Sequence, residues 1–219
     1  MLIAQRVTRR FGYRTVVDEV SLQLESGDGV LLLGHNGAGK TTLLRLLAGL
    51  LRPSSGTVSR TGTMGMVAHQ SMLYDVLTAR ENLSFAARLH GSPDASRIDQ
   101  VLERLGLMQY ADRRVGTFSR GMTQRLAIAR ALLPDPDLLL MDEPLTGLDP
   151  DGSAIACQLF ADLRSQGKAV LISTHQIAEL VGLVGSVAYL VGGKLAAFEP
   201  VNGRDCTAVT ERYREVASG

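Results

Sequence analysis

Residues 34–41 read Gly34-His35-Asn36-Gly37-Ala38-Gly39-Lys40-Thr41, and no other stretch narrows the choice of fold as far. Every fixed position of the phosphate-binding pattern G-x-x-x-x-G-K-[ST] is filled. The apolar run Gly29–Leu33 stands before the loop and predicts a buried strand, and Thr42–Ala48 after it predicts a helix. A strand that feeds a glycine turn and then a helix aims several backbone N–H groups and a helix N-terminus at one point, which is an anion site. The glycines let the backbone curl round a phosphate chain that a Cβ would obstruct. Lys40 then reaches the β- and γ-phosphates of a nucleoside triphosphate, with the Thr41 hydroxyl on Mg²⁺ and Thr42 in the same first turn.

The flanking pattern predicts an α/β fold. Leu2 to about Leu33 reads as short strands with turns near Gly12-Tyr13 and at Ser26-Gly27-Asp28, and the loop's helix closes at Gly49 with Pro53 beyond. Thr57–Ala68 reads as further strand. From about Ser71 to Leu133 the periodicity becomes helical: Thr78 and Glu81 form a capping pair, a loop at Gly91-Ser92-Pro93 leads to a helix over Ile98–Leu105, and another runs over Thr123–Leu133. Strands follow at Leu138–Met141 and Ala169–Ser173 with a helix over Asp151–Gln166 between them, then a hairpin over Val187–Phe198 turning at Gly192-Gly193. Strands alternating with helices argue for a mostly parallel sheet covered on both faces, interrupted by a helical block.

The strand over Leu138–Met141 ends in Asp142-Glu143-Pro144. Downstream of a phosphate loop, Asp142 is placed to hold Mg²⁺ directly or through water, and Glu143 to polarise an attacking water as general base.

Between these motifs lies Phe118-Ser119-Arg120-Gly121-Met122-Thr123-Gln124-Arg125. Here the chain resembles the ATP-binding-cassette (ABC) ATPases, whose signature L-S-G-G-Q is matched at Ser119 and Gly121 and altered at Phe118, Arg120 and Met122. The resemblance implies that this segment opens a helix whose N-terminus meets the γ-phosphate held by an opposite subunit. It also implies that Thr146-Gly147-Leu148-Asp149 is the loop that communicates across the dimer, with Asp149 at the nucleotide, and that His175 is the histidine that touches the γ-phosphate. Phe11 stands where the family stacks an aromatic on adenine, with Tyr13 as the alternative. The family's Mg²⁺-contacting glutamine falls on His69 by spacing from Leu77-Thr78 and Glu81-Asn82-Leu83, with Gln70 one step beyond; both are carried as candidates. The implied fold is a phosphate-loop cassette with a mostly parallel core sheet, an N-terminal antiparallel part and an inserted helical subdomain. In residues, it is a single domain over 1–219, with a core at about 1–70 and 134–205, a helical subdomain at about 71–133 and a short tail at 206–219.

The resemblance further implies an ATPase that dimerises around two ATP–Mg²⁺, either as a homodimer or paired with another cassette, and drives a transmembrane permease. The stretch Val67–Gly91, together with Ser119–Leu133, is similar to the ATPases of the haem exporters used in bacterial cytochrome c maturation. Other small exporters, for drugs or polysaccharides, share the same core motifs. A soluble ABC ATPase of DNA repair or translation needs a long coiled-coil insertion or two cassettes, which 219 residues do not hold. A regulatory module that binds ATP without turning it over is the remaining alternative, separated by Mg²⁺-dependent hydrolysis.

Composition bounds the partners. A net charge of +1 gives no basis for nucleic acid as partner, and Cys157 and Cys206 alone build neither a disulfide framework nor a metal site. No signal sequence is visible before Arg9, and the apolar segment Leu180–Val191, broken by Gly182 and Gly185, falls short of a membrane span. The expected place is cytoplasmic, peripheral on the membrane through the permease.

Overall fold

The computed structural model describes residues 1–91 and 94–218. Ser92 and Pro93 of the expected loop therefore lie outside the described residues. Among the described residues nine strands form two sheets: β1 (Leu2–Phe11), β2 (Arg14–Leu24), β3 (Gly29–Leu33), β4 (Ser55–Arg60), β5 (Met64–Val67), β6 (Leu138–Asp142), β7 (Ala169–Ser173), β8 (Ser186–Val191) and β9 (Lys194–Pro200). The larger sheet has the order β5-β6-β7-β3-β8-β9 and the smaller one β2-β1-β4. In the larger sheet β5, β6, β7, β3 and β8 run parallel and only β9 is antiparallel.

All five residues of β3, of β6 and of β7 are buried. Their side chains divide by the period of two. Leu31 and Leu33 face a core shared with helices α2 (Ala79–Leu89), α3 (Ala95–Arg104), α4 (Arg120–Leu132), α5 (Pro150–Ser165), α6 (Ile177–Leu180) and α7 (Cys206–Ser218). Val30 and Leu32 face a second core with α1 (Lys40–Leu47) and the smaller sheet. This two-sided cover explains why these strands read as continuous apolar runs rather than alternating ones.

Three expectations need correction. The run over Thr57–Ala68 is two strands in different sheets: β4 pairs antiparallel with β1, and β5 pairs parallel with β6. Gly62 turns the chain between them at φ +86, where a Cβ would stand 2.5 Å from Asp137 Oδ2, and that carboxylate accepts from the Thr63 N–H at 2.9 Å. The helix read by periodicity from Thr123 starts at Arg120, as the signature resemblance implied, because Ser119 Oγ accepts the Met122 N–H at 3.2 Å and caps it three residues earlier. Likewise the helix expected from Ile98 starts at Ala95, capped by Asp94.

The tail beyond 205 is helical. Helix α7 buries Val209, stacks Tyr213 on Tyr189 with ring centroids 6.4 Å apart, and ties Arg212 to Glu199 of β9 at 2.7 Å. The expected Thr78–Glu81 capping box is formed at the start of α2. Asn82, 3% exposed, secures the loop before it: its Oδ1 accepts the Tyr74 N–H at 2.8 Å, and its Nδ2 donates to the carbonyls of Tyr74 and Thr78.

Candidate active site

Because β3, β6 and β7 run parallel, the loops leaving their C-terminal ends meet on one side of the sheet. A cleft of about 730 Å³ opens there. Its floor is the phosphate loop. Gly39 takes φ +104, and a Cβ on it would stand 2.6 Å from Val16 O; one on Gly34 would stand 2.5 Å from Leu190 O. Only glycine fits those positions. Helix α1 begins at Lys40 with no side-chain cap and no acid in its first turn, so its leading N–H groups face the cleft unsatisfied by the helix itself.

Lys40 is 7% exposed, and its Nζ donates to Gly34 O at 2.6 Å. Burial pushes its pKa below the usual lysine value, opposed by the charges of Glu143 and then Asp142. A buried ammonium balanced by main-chain carbonyls and two nearby acids is a strong point of attraction for a polyanion.

Asp142 closes β6 and is 3% exposed. Each of its oxygens has one hydroxyl donor: Thr41 Oγ1 donates to Oδ2 at 2.7 Å, and Ser173 Oγ to Oδ1 at 2.6 Å. The Thr41–Asp142 pair is the hard-oxygen donor set that fits Mg²⁺, which takes one or two protein oxygens and completes its shell with phosphates and water. Accordingly, no cluster of three His, Cys, Asp or Glu side chains stands ready to hold a metal unaided among the described residues.

Glu143 follows in the left-handed region at φ +53, a conformation that costs a non-glycine residue about 1–3 kcal/mol and concentrates at functional sites. The turn is held by its N–H to Ser173 O at 3.0 Å and by the Thr146 N–H to its own carbonyl at 3.1 Å. Its Oε2 accepts the His175 N–H at 3.2 Å. Its Oε1 lies 3.3 Å from His175 Nε2 yet lacks hydrogen-bond geometry, so a buried acceptor in the cleft is left over. His175 Nε2 also lies 3.0 Å from Asn36 Oδ1 and 3.5 Å from Lys40 Nζ. The Asn36 oxygen accepts from Nε2 in one tautomer, and the Lys40 ammonium donates to that nitrogen in the other.

The cleft thus gathers Asn36, Gly37, Gly39, Lys40, Thr41, Thr42, His69, Asp142, Glu143 and His175. Gly34 and Ala38 shape the loop beneath it without lining it. Of the two candidates after β5, His69 lines both this cleft and an adjoining one of about 310 Å³, whereas Gln70 lines neither. Phe11 stands outside the lining at the hairpin tip, 47% exposed, with Arg9 Cζ 4.6 Å from its ring centroid; its strand partner Arg14 lines the cleft together with Val16. Ser119, Gly121 and Asp149 also stand outside it. Asp149 caps α5, its Oδ1 accepting the Gly152 N–H at 2.8 Å. Gln124 is engaged with Pro144 O at 2.9 Å, and Met122 packs against the helical core.

Sequence reasoning missed Ser173, Arg14, Val16 and Gln176. For Ser173 a signal existed, since Ser173-Thr174 are polar residues closing an otherwise apolar strand.

The profile of the family described as ABC transporter matches residues 17–146. The ABC transporter ATP-binding protein NatA of Bacillus subtilis is 42% identical over 195 residues, 82% of this chain and 79% of that protein. The bacitracin transport ATP-binding protein BcrA of Bacillus licheniformis is 39% identical over 202 residues, 86% of this chain and 66% of that protein. The Nod factor export ATP-binding protein I of Ralstonia nicotianae is 36% identical over 212 residues, 90% and 66%. Among solved structures, a dimeric ATP-binding cassette in a post-hydrolysis state with ADP and Pi superposes with a TM-score of 0.84 at 26% identity, covering 93% of this chain and all of that one. The profile covers more than half of the sequence and ends just past the acidic pair of the cleft, and on these grounds the chain belongs to the ABC transporter family as an ATP-hydrolysing subunit.

Proposed function

We propose that this chain powers an exporter, binding ATP–Mg²⁺ in the cleft of one copy against the Ser119–Gly121 segment of a second. The observation that carries the reading is the convergence of Lys40, Thr41, Asp142, Glu143 and His175 on one cleft. In this mechanism the triphosphate lies along the phosphate loop, with Lys40 exchanging its loop carbonyls for the β- and γ-oxygens. Thr41 and Asp142 would hold Mg²⁺, which supplies charge neutralisation on those phosphates. His69, which lines the same cleft where Gln70 does not, would be the side chain after β5 within reach of the ion's hydration shell. Glu143, through its unpaired Oε1, accepts the proton of a water that attacks the γ-phosphorus as the bond to the β-phosphate oxygen breaks. His175, oriented by Asn36 and by its own N–H to Glu143, donates to the γ-phosphate.

Ser119, Gly121 and Asp149 stand outside the cleft of their own copy, and the reading gives them to the opposite one, where the N-terminus of α4 completes the phosphate site. The relative whose name includes Nod factor export favours export over import for this chain. No described helix is long and apolar enough to cross a membrane, so the reading assigns passage to a transmembrane partner and places this chain peripherally on its cytoplasmic side.

Glu143→Gln tests the core of the proposal. The variant should bind ATP, lose turnover and accumulate as a dimer in ATP by sedimentation; steady hydrolysis would sink the general-base role. Haem as cargo is the narrower reading, supported by the similarity over Val67–Gly91, while the relatives' names speak of bacitracin and Nod factor. Haem staining of c-type cytochromes in a deletion strain, complemented with wild type or Glu143→Gln, separates the two. Normal cytochromes in the deletion strain leave the exporter reading standing and remove haem.

A further inference from the structure

The first turns of α4 are fastened to the loop that follows Glu143. Gln124 donates from Nε2 to Pro144 O at 2.9 Å, the carbonyl directly after the candidate base. Among the described residues no other group donates to that oxygen. Two close approaches stand beside this bond. A Cβ on Gly121 would lie 3.1 Å from Gly147 O, and one on Gly147, which takes φ +84, would lie 2.6 Å from Arg120 Nε. Helix and loop therefore touch at three places, and of these only the contact at Gln124 is a hydrogen bond.

The turn at Glu143 needs such a tie. A non-glycine residue at φ +53 keeps that conformation only where its surroundings over-determine it. Pro144, which follows, has no N–H to contribute. The Ser173 carbonyl holds the chain at residue 143, and the Thr146 N–H closes the turn on Glu143 O. Gln124 adds a third bond at residue 144, from a different element. It is half-buried and lines the cavity of about 310 Å³ together with Asp142, Glu143 and Thr146. It does not line the ATP cleft itself, so it can reach the reaction only through what it holds.

We infer that Gln124 is a positioning residue for the hydrolytic step: by holding Pro144 O it fixes the left-handed turn, and with it the direction in which Glu143 presents Oε1 to the attacking water. The inference rests on the general-base reading of Glu143 above. Displacing a reacting group by about 1 Å can cost on the order of 10²-fold in rate while the substrate still binds. A bond that merely stapled α4 to the core would act otherwise. Its loss would loosen the helix end offered to the second copy, and ATP-dependent dimerisation would go with it.

The full chain is purified as wild type, Gln124→Met, Gln124→Lys and Gln124→Ala, with Glu143→Gln beside them. For each, kcat, the Kd for ATP–Mg²⁺ and the dimer fraction in ATP by sedimentation are measured. Methionine keeps the length of the side chain and removes the donor, whereas lysine keeps an N–H donor of similar reach. In Gln124→Met, kcat should fall about tenfold or more while Kd stays within about twofold. That variant should also accumulate as the ATP-bound dimer, as Glu143→Gln does, and Gln124→Lys should recover most of the lost turnover. Three results would overturn the proposal: wild-type kcat in Gln124→Met, loss of its dimer or of its ATP affinity along with kcat, or a Gln124→Lys as slow as Gln124→Met. Steady hydrolysis by Glu143→Gln would overturn the general-base reading and this inference with it, so the two failures are told apart. Should Gln124→Met fold poorly, Gln124→Ala decides by the same measurements.

Discussion

Ser173 offers the sharpest physical test of the site, because the whole effect of changing it runs through one buried carboxylate. Its side chain is fully buried, and its hydroxyl is the donor to Asp142 Oδ1 at 2.6 Å, while Thr41 serves Oδ2. Ser173→Ala removes one oxygen, adds no volume and leaves Oδ1 without a donor among the described residues. A hydrogen bond to a charged group contributes about 1.5–3 kcal/mol. In a domain of this size each kcal/mol shifts Tm by about 2–4 °C, so Tm should fall by about 3–12 °C. Thermal unfolding at pH 7 reads the single variant, and Asp142→Asn supplies the second arm of a double-mutant cycle. In the Asp142→Asn background the bond is no longer charge-assisted, and Ser173→Ala should cost less there by about 1 kcal/mol or more. ATP turnover should fall with the single variant, since Asp142 loses half of what orients it. An unchanged Tm, or an equal cost in both backgrounds, would refute the reasoning.

Two further predictions concern other parts of the chain. Hydrogen bonds from Arg212 and then Arg204 hold the pKa of Glu199 at about 2 against a usual 4.5; the stability this confers is present above 4.5 and lost as pH falls through about 2. The deficit of Glu199→Gln in urea unfolding should thus be full at neutral pH and shrink below 4.5, and a deficit independent of pH would show that the charge on Glu199 is not what ties α7 to β9. Phe11, backed on one face by Arg9, should stack on adenine with its other face. Stacking contributes about 1–3 kcal/mol, so Phe11→Ala should weaken ATP about fivefold or more in a direct titration; an unchanged Kd would leave the base to Arg14 and Val16.

Most of the architecture was legible because local rules dictate it. Glycines at 34, 37 and 39, an apolar run before them and helical spacing after them admit one backbone path, and Thr174 and His175 follow β7 as β7 follows its helix. What escaped depends on partners distant in sequence. The break at Gly62 is set by Asp137, and the left-handed turn at Glu143 by the Ser173 carbonyl, 30 residues on. The spacing after β5 fell on His69 while the residue type favoured Gln70 one step beyond, and it is His69 that lines the cleft. Arg130 is the clearest case. In the run Arg125-Leu126-Ala127-Ile128-Ala129-Arg130-Ala131-Leu132 it reads as a residue on the solvated face of a helix, like Arg125 five positions earlier. The two part company in the fold: Arg125 spends its guanidinium on Leu105 O at 3.1 Å, whereas Arg130, lowered in pKa by burial, lines a recess walled by Met72, Tyr74 and Phe85. Periodicity assigns a side chain to a face but says nothing of whether its charge finds a partner there.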